Sequence, residues 1–151
     1  MEIQIKLLNA KELAAAFGKA PNLAIREFGK VIGKTAFKIE GDAKRKAPVN
    51  KESGGGNLRQ SISSRTLTAS AVVAATAKYA AYVDQGTRPH TINVRTSRVL
   101  ANKRTGQFFG RVVHHPGTRK QPFFTDAVEG NQDFFTHEMA GALQTVLNSI
   151  H

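Results

Sequence analysis

Hydrophobic and polar positions alternate at the start of the chain and then recur with a helical period. Ile3, Ile5 and Leu7 alternate with polar residues, which predicts a first β-strand with one buried face. Between Pro21 and Ala47, apolar residues return at roughly every third or fourth position, so we predict one long helix there. Glycines inside this segment weaken a helix, and we therefore expect a kink or close packing against another element.

The middle of the chain has the composition of β-strands. Ser61–Thr68 and Ser70–Thr76 contain several β-branched residues and predict a hairpin, whereas Tyr79–Gln85 has room for one or two helical turns. His90–Leu100 and Gln107–His114 predict two further strands around a basic loop.

The last part of the chain predicts a second long helix, from Pro122 to about Ser149. Its apolar stripe consists of Phe123, Ala127, Phe134, Phe135, Met139, Leu143, Val146 and Ile150. The order of elements predicts an α+β fold, in which an antiparallel β-sheet packs with a long helix of the N-terminal half and a long C-terminal helix. No boundary is visible in the sequence, so we expect a single domain over residues 1–151.

A Gly-Thr-Arg tripeptide occurs twice beside prolines and aromatic residues. The first copy is Gly86–Arg88, before Pro89, and the second is Gly117–Arg119, after Pro116. Glycine supplies backbone angles that other residues avoid, and proline fixes φ, so both copies predict stiff turns. Their tips offer threonine and arginine, which suit positioning and contact better than catalysis.

The net charge of +11 is distributed unevenly. From Gln85 through Thr125 the chain has no acid and eight bases, which are Arg88, Arg95, Arg98, Lys103, Arg104, Arg111, Arg119 and Lys120. From Asp126 to His151 it has four acids and no Lys or Arg. A basic band followed by an acidic end can bind nucleic acid or a second copy head-to-tail, and charge alone does not choose between them.

The sequence contains weak candidates for a phosphate-binding loop, a zinc site and a Mg²⁺-dependent nuclease site, and none of the three is well supported. Gly29–Thr35 is close to a phosphate-binding loop, but it has three residues instead of four before Gly-Lys-Thr, and a helical period runs through it. The histidines lack the spacing of a helical zinc site. Glu40, Asp42 and Lys44 are residue types of a Mg²⁺-dependent nuclease, yet they lie near a predicted helix end. We therefore expect no catalytic residue, cofactor site or metal site.

Composition adds two limits. No stretch is long and apolar enough to span a membrane, so we expect no membrane partner. The absence of cysteine excludes disulfides and thiolate metal sites, and synthesis in the cytoplasm is the simplest interpretation.

Four short motifs follow one another along the chain. They are Lys46–Pro48 with Leu58–Ile62 beyond a Gly-rich loop, then Tyr79–Thr87, His115–Thr118 and Gln121–Ala127. In this order they resemble the tail-completion, or neck, proteins of tailed phages, the family named after gene product ten of a lambda-like coliphage. The residues that carry the resemblance are Pro48, Leu58, Tyr79, Tyr82, Val83, Gly86, Thr87, Pro116, Gly117, Thr118, Pro122 and Phe123.

The resemblance implies a non-enzymatic virion protein that joins the tail to the head-side connector. It implies a ring of identical copies, for which we expect six or twelve, and contacts with connector or stopper, tail-tube or tail-terminator proteins and passing genomic DNA. The basic residues that we expect to contact a partner or DNA are Arg88, Arg95, Arg98, Lys103, Arg104 and Arg111. A basic DNA-binding protein is the alternative function, and a phage-encoded nuclease is a third.

Overall fold

A computed structural model describes residues 1–18, 20–49, 55–94, 100–101 and 106–150. In chain order the elements are β1 (Glu2–Lys6), α1 (Ala10–Ala16), α2 (Pro21–Lys46), α3 (Asn57–Gln60), β2 (Ile62–Leu67), β3 (Ser70–Ala75), α4 (Ala80–Gln85), β4 (His90–Asn93), β5 (Leu100–Ala101), β6 (Phe108–Gly110), β7 (Val112–His115), α5 (Thr125–Glu129) and α6 (Gln132–Ile150). They form two compact units, the first of residues 1–80 and 122–151 and the second of residues 81–121. The α+β fold class is as predicted.

The first unit contains a three-stranded antiparallel sheet in the order β1-β3-β2. The alternation of Ile3 and Ile5 correctly predicted β1, and β2 and β3 form the predicted hairpin. In β3, Ala71, Val73 and Ala75 are buried, which gives the sheet one apolar face. Helix α2 packs against β2 and β3 and against α6.

Two glycines allow α2 to lie directly against the β2–β3 hairpin. A Cβ on Gly29 would lie 2.2 Å from the carbonyl oxygen of Thr68, and a Cβ on Gly33 would lie 3.0 Å from Cγ2 of Thr66. Close packing is therefore the reason for glycine in this helix, which was one of the two outcomes expected. Helix α3 was not predicted, and residues 50–54 of the expected glycine-rich loop lie outside the described residues.

The predicted long C-terminal helix is present, but it is bent and divided into α5 and α6, which the sequence analysis did not foresee. Asn131 lies at the break and is 1% exposed. Its Nδ2 donates to Oδ2 of Asp42 in α2 and to the carbonyl of Ala127, both at 2.7 Å, and its own carbonyl accepts from Phe135 N–H. A hydrogen bond to a distant helix fixes this bend, and no periodicity along the chain reveals it.

The core of the first unit joins α2 to α6. Ala24, Phe28 and Val31 cluster with Ala142 and Val146, with Leu7, Leu13, Phe17, Leu23, Phe135 and Met139 packed around them. Leu143, which the predicted stripe placed inside, is 40% exposed. The buried face of α6 runs through Phe135, Met139, Ala142 and Val146, so Ala142 takes the place that the stripe gave to Leu143.

The second unit contains two small antiparallel pairs, β4 with β7 and β5 with β6. The two strands expected at His90–Leu100 and Gln107–His114 are each divided, so that expectation was too simple. Residues 95–99 and 102–105, which include most of the expected basic loop, lie outside the described residues.

Candidate partner-binding surface

The two Gly-Thr turns, 31 residues apart in sequence, lie against each other in the second unit. Thr87 N–H donates to the Thr118 carbonyl at 3.1 Å, and Thr118 N–H donates to the Thr87 carbonyl at 3.2 Å. The two hydroxyl oxygens are 3.0 Å apart, and Thr118 N–H also donates to the Thr87 hydroxyl at 3.0 Å. This pair of threonines and the glycine before each are termed the Gly-Thr clasp.

Both glycines of the clasp are required by backbone geometry. Gly86 has φ of 73° and Gly117 has φ of 87°, in the region that favours glycine. A Cβ on Gly117 would lie 2.2 Å from the Thr87 carbonyl oxygen, and a Cβ on Gly86 would lie 2.7 Å from the Thr118 carbonyl oxygen. Each glycine therefore permits the opposite turn to approach, which explains why the motif occurs in two copies.

The pairing of the clasp continues into β4 and β7 without a change of register. His90 lies opposite His115, three residues beyond Thr87 and three before Thr118. The two imidazole rings stack with their centroids 5.0 Å apart. His115 Nδ1 accepts from Gly117 N–H at 3.0 Å, and His90 Nδ1 donates to the Arg88 carbonyl at 3.0 Å.

The sequence analysis missed this histidine pair, although a signal for it exists. The two histidines stand at mirrored distances from the two Gly-Thr dipeptides, and mirrored spacing is what an antiparallel pairing requires. The antiparallel pairing of β4 with β7 extends to Val94, whose N–H donates to the Arg111 carbonyl at 3.0 Å. At its other end, Gln121 N–H donates to the Val83 carbonyl at 2.9 Å, so the entry and exit of the unit are joined.

The second unit buries no hydrophobic side chain among its described residues, and Asp84 is the buried side chain there. Several of its large apolar side chains lie on the surface: Phe108 is 74% exposed, Val112 54% and Phe109 45%. A segment of about 40 residues gains little stability from a core of its own. Hydrogen bonds hold the unit in shape, and its apolar side chains remain available for another molecule.

The second unit also carries exposed basic side chains. Arg88, Arg111, Arg119 and Lys120 are exposed, and Arg111 lies between Phe109 and Val112 in the chain. Of the other candidate contacts, Arg95, Arg98, Lys103 and Arg104 lie outside the described residues. Phe108, Phe109, Arg111 and Val112 are termed the aromatic–basic strip below.

The remaining motif residues are divided between interior and surface. Leu58 and Phe123 are buried in the first unit, and Pro48 and Pro122 are half-buried. Tyr79 is 46% exposed, and Tyr82 is 62% exposed. The two tyrosines before the first turn therefore lie at the surface, whereas Phe123 beyond the second turn lies in the interior. Pro116 is exposed.

The acids considered for a nuclease are engaged in contacts within the first unit. The Glu40 carboxylate accepts from Lys44 Nζ and from the backbone N–H and hydroxyl of Ser64. Partial burial raises the pKa of Glu40, but these hydrogen bonds outweigh burial and lower the pKa below its ordinary value. The Glu40 side chain therefore connects α2 to β2 through Ser64.

Asp42 has a similar structural environment. Its carboxylate accepts from Asn131 and pairs with Lys38 and Arg45. The hydrogen bond from Asn131, aided by the two cations, lowers the pKa of Asp42 despite partial burial. The carboxylate thus ties α2 to the bend before α6.

Two further sequence questions have structural answers. Gly29–Thr35 lies inside α2, as its helical period predicted. Among the residues that the structure describes, no group of three or more His, Cys, Asp or Glu is placed to hold a metal ion. No helix in the described ranges combines the length and apolar character needed to cross a membrane.

Comparison with protein families places the chain among phage proteins. The sequence profile of the HK97-gp10-like family, described as "Bacteriophage HK97-gp10, putative tail-component", matches residues 11–86. The match covers half of the chain and ends at Gly86, the first residue of the Gly-Thr clasp. Searches of curated proteins and of solved structures found no significant match. The chain therefore belongs to the HK97-gp10-like family of bacteriophage tail components.

Proposed function

We propose that the protein is a non-enzymatic structural subunit of the phage head-to-tail interface. It completes the head-proximal end of the tail and joins the tail to the head-side connector, as one of several copies in a ring. Six or twelve copies are the expected ring sizes. In the virion it lies at the neck, beside connector or stopper and tail-tube or tail-terminator proteins.

The observation that carries this proposal is the exposed aromatic–basic strip on a unit that buries no hydrophobic side chain among its described residues. Phe108 and Val112 are more than half exposed, on strands of the two antiparallel pairs, and the pair that contains Val112 continues from the Gly-Thr clasp. Exposed aromatics on a hydrogen-bonded scaffold suit an assembly contact better than catalysis. In a phage tail component, such a contact serves assembly with a neighbouring subunit.

The test is removal of the gene from the phage, followed by electron microscopy of the lysate. The proposal predicts that DNA-filled heads and separate tails accumulate and that the protein supplied from a plasmid restores joined virions. Immunogold label on the tagged protein should lie at the neck. Complete virions without the protein, or label along the tail tube or at its distal end, would overturn the proposal.

One observation favours DNA binding as the alternative. Residues 85–125 contain eight bases and no acid, a composition that attracts phosphates. This function predicts affinity for duplex DNA that falls steeply with added salt and weakens when Arg88 or Arg119 is changed to glutamate. Such binding without any defect in head–tail joining would favour the alternative over the structural role.

A further inference from the structure

We propose that the exposed face of α6 in one copy of the chain binds the aromatic–basic strip of the next copy. This inference rests on the proposed function, because it names the contact by which copies would form a ring. It assigns both sides of the interface to surfaces of the same chain, so that each copy uses its strip on one neighbour and its helix on the other.

One face of α6 is exposed along the length of the helix. Asp133, Thr136, Ala140, Leu143 and Leu147 follow one another at spacings of three and four residues, which places them on one side of the helix. All five are exposed, and Leu143 and Leu147 are 40% and 37% exposed. From the acid to the last leucine the face extends about 21 Å.

The two surfaces are complementary in charge. Neither Asp133 nor the exposed Glu129 just before the helix makes an ion pair with any residue that the structure describes. The same holds for Arg111 in the strip. From Asp126 onward the chain has no Lys or Arg, whereas residues 85–125 have no acid. Contact between copies would bring these opposite charges together without a second partner.

The surfaces also match in apolar content. Phe108 and Val112 are exposed on one side, and Leu143 and Leu147 are exposed on the other. Nucleic acid would use Arg111 of the strip but would leave Phe108, Val112 and both leucines in water. A second copy covers all four and satisfies the charges at the same time. The contact joins two different surfaces, so it propagates from copy to copy and closes into a ring when the rotation permits.

Cysteine trapping tests the contact directly, because the natural chain contains no cysteine. The variant with both Arg111→Cys and Asp133→Cys should form, on mild oxidation, a ladder of covalent oligomers that reductant dissolves. Each single variant has no thiol opposite its cysteine in this contact and should stay monomeric. The pair Lys11→Cys with Arg111→Cys serves as a control and should give no ladder. A double variant that stays monomeric, or forms only dimers, would overturn the proposal.

Mixing of charge variants provides an independent test by sedimentation velocity. Arg111→Glu changes the strip alone, and Asp133→Lys changes the exposed face of α6 alone. Each should weaken self-association about tenfold or more, and an equimolar mixture should recover it, since damaged strips then meet damaged helices of opposite charge. A mixture that associates no better than its components would contradict the assignment.

A matched pair of phenylalanines tests the apolar part. Phe108 in the strip and Phe37 on α2 are both 74% exposed. Phe108→Ser should weaken self-association about tenfold, and Phe37→Ser should leave it unchanged. Equal effects of the two changes would overturn the role of the strip.

These tests separate the inference from the proposed function. If strip variants lose DNA affinity but still form the covalent ladder and associate normally, the strip binds nucleic acid and the inference fails. If they lose self-association while phage lacking the protein still join heads to tails, the proposed function fails and the contact stands. If the tagged protein labels the neck but no contact between copies uses the strip, the inference alone is wrong.

Discussion

Thr87 and Thr118 exchange both backbone hydrogen bonds and hold their hydroxyl oxygens 3.0 Å apart, although 31 residues separate them. This relationship turns two copies of a short motif into one structural feature. Each threonine follows a glycine with positive φ, and each glycine lies against the backbone of the opposite turn. The clasp closes the segment that carries the aromatic–basic strip.

Gly117→Ala should open the clasp. The new Cβ would lie 2.2 Å from the Thr87 carbonyl oxygen, at a φ that disfavours alanine. We expect faster amide hydrogen exchange at Thr87 and Thr118, together with weaker partner binding through the strip. Hydrogen exchange followed by mass spectrometry over residues 81–121 measures the first effect.

Gly110→Ala is the matched control for this change. Gly110 has φ of 88°, close to that of Gly117, but a Cβ added there would have no atom within 4 Å apart from its chain neighbours. In both variants alanine must adopt a positive φ, which costs about 1 kcal/mol of stability. They differ in the clash between the new Cβ and the opposite turn, which occurs at residue 117 and not at residue 110. Equal exchange rates in the two variants would show that close approach of the turns is unimportant.

The sequence predicted the two turns but not their contact. Gly86 and Gly117 predict residues of positive φ, because glycine near proline is typical of turns. The contact between the two turns depends on strand pairing between residues 31 positions apart. Within the sequence, the mirrored positions of His90 and His115 indicate the register of that pairing. Strands were predicted around them, but not where each strand ends, because pairing, and not composition, defines those ends.

Gly29→Ala should destabilise the first unit even though alanine favours helices. A Cβ at Gly29 would lie 2.2 Å from a backbone carbonyl oxygen of Thr68, which cannot turn away as a side chain can. We expect a loss of about 1–3 kcal/mol in the free energy of unfolding, measured with urea. Gly41→Ala is the control, because its nearest neighbour is the flexible end of Arg45 at 3.7 Å. That change should stabilise the protein by about 0.5–1 kcal/mol, and the opposite order of the two variants would contradict this account.

Asn131→Ala should loosen the bend between α5 and α6. It removes the donor to Asp42 and to the Ala127 carbonyl, and both acceptors are at least partly buried. Losing these two hydrogen bonds to partly buried acceptors costs about 1–3 kcal/mol. Urea unfolding measures this loss, and Asn148→Ala, in the exposed part of α6, should cost less than half as much. Similar losses in the two variants would mean that the buried amide has no special role.

The predicted apolar stripe identified most of the buried face of the C-terminal helices but not the bend between them. Phe123, Ala127 and Val146 are buried as the stripe required, while Leu143 is exposed and Ala142 is buried. A single helical period assumes one continuous axis. Asn131 interrupts that axis through a bond to α2, and this contact could be found only from the folded structure.

Stability of the first unit should fall in acid, partly through Asp42. The hydrogen bond from Asn131 and the cations Lys38 and Arg45 lower the pKa of Asp42 in the folded protein below the ordinary value of 3.8. A carboxyl group with a lowered folded pKa stabilises the fold above its unfolded pKa, and this contribution is lost as the pH falls through the folded pKa. Urea unfolding at several pH values from about 5 to about 2 should therefore show a steeper loss for the natural chain than for Asp42→Asn, whose amide does not titrate. A variant with the same slope as the natural chain would show that Asp42 does not couple protonation to folding.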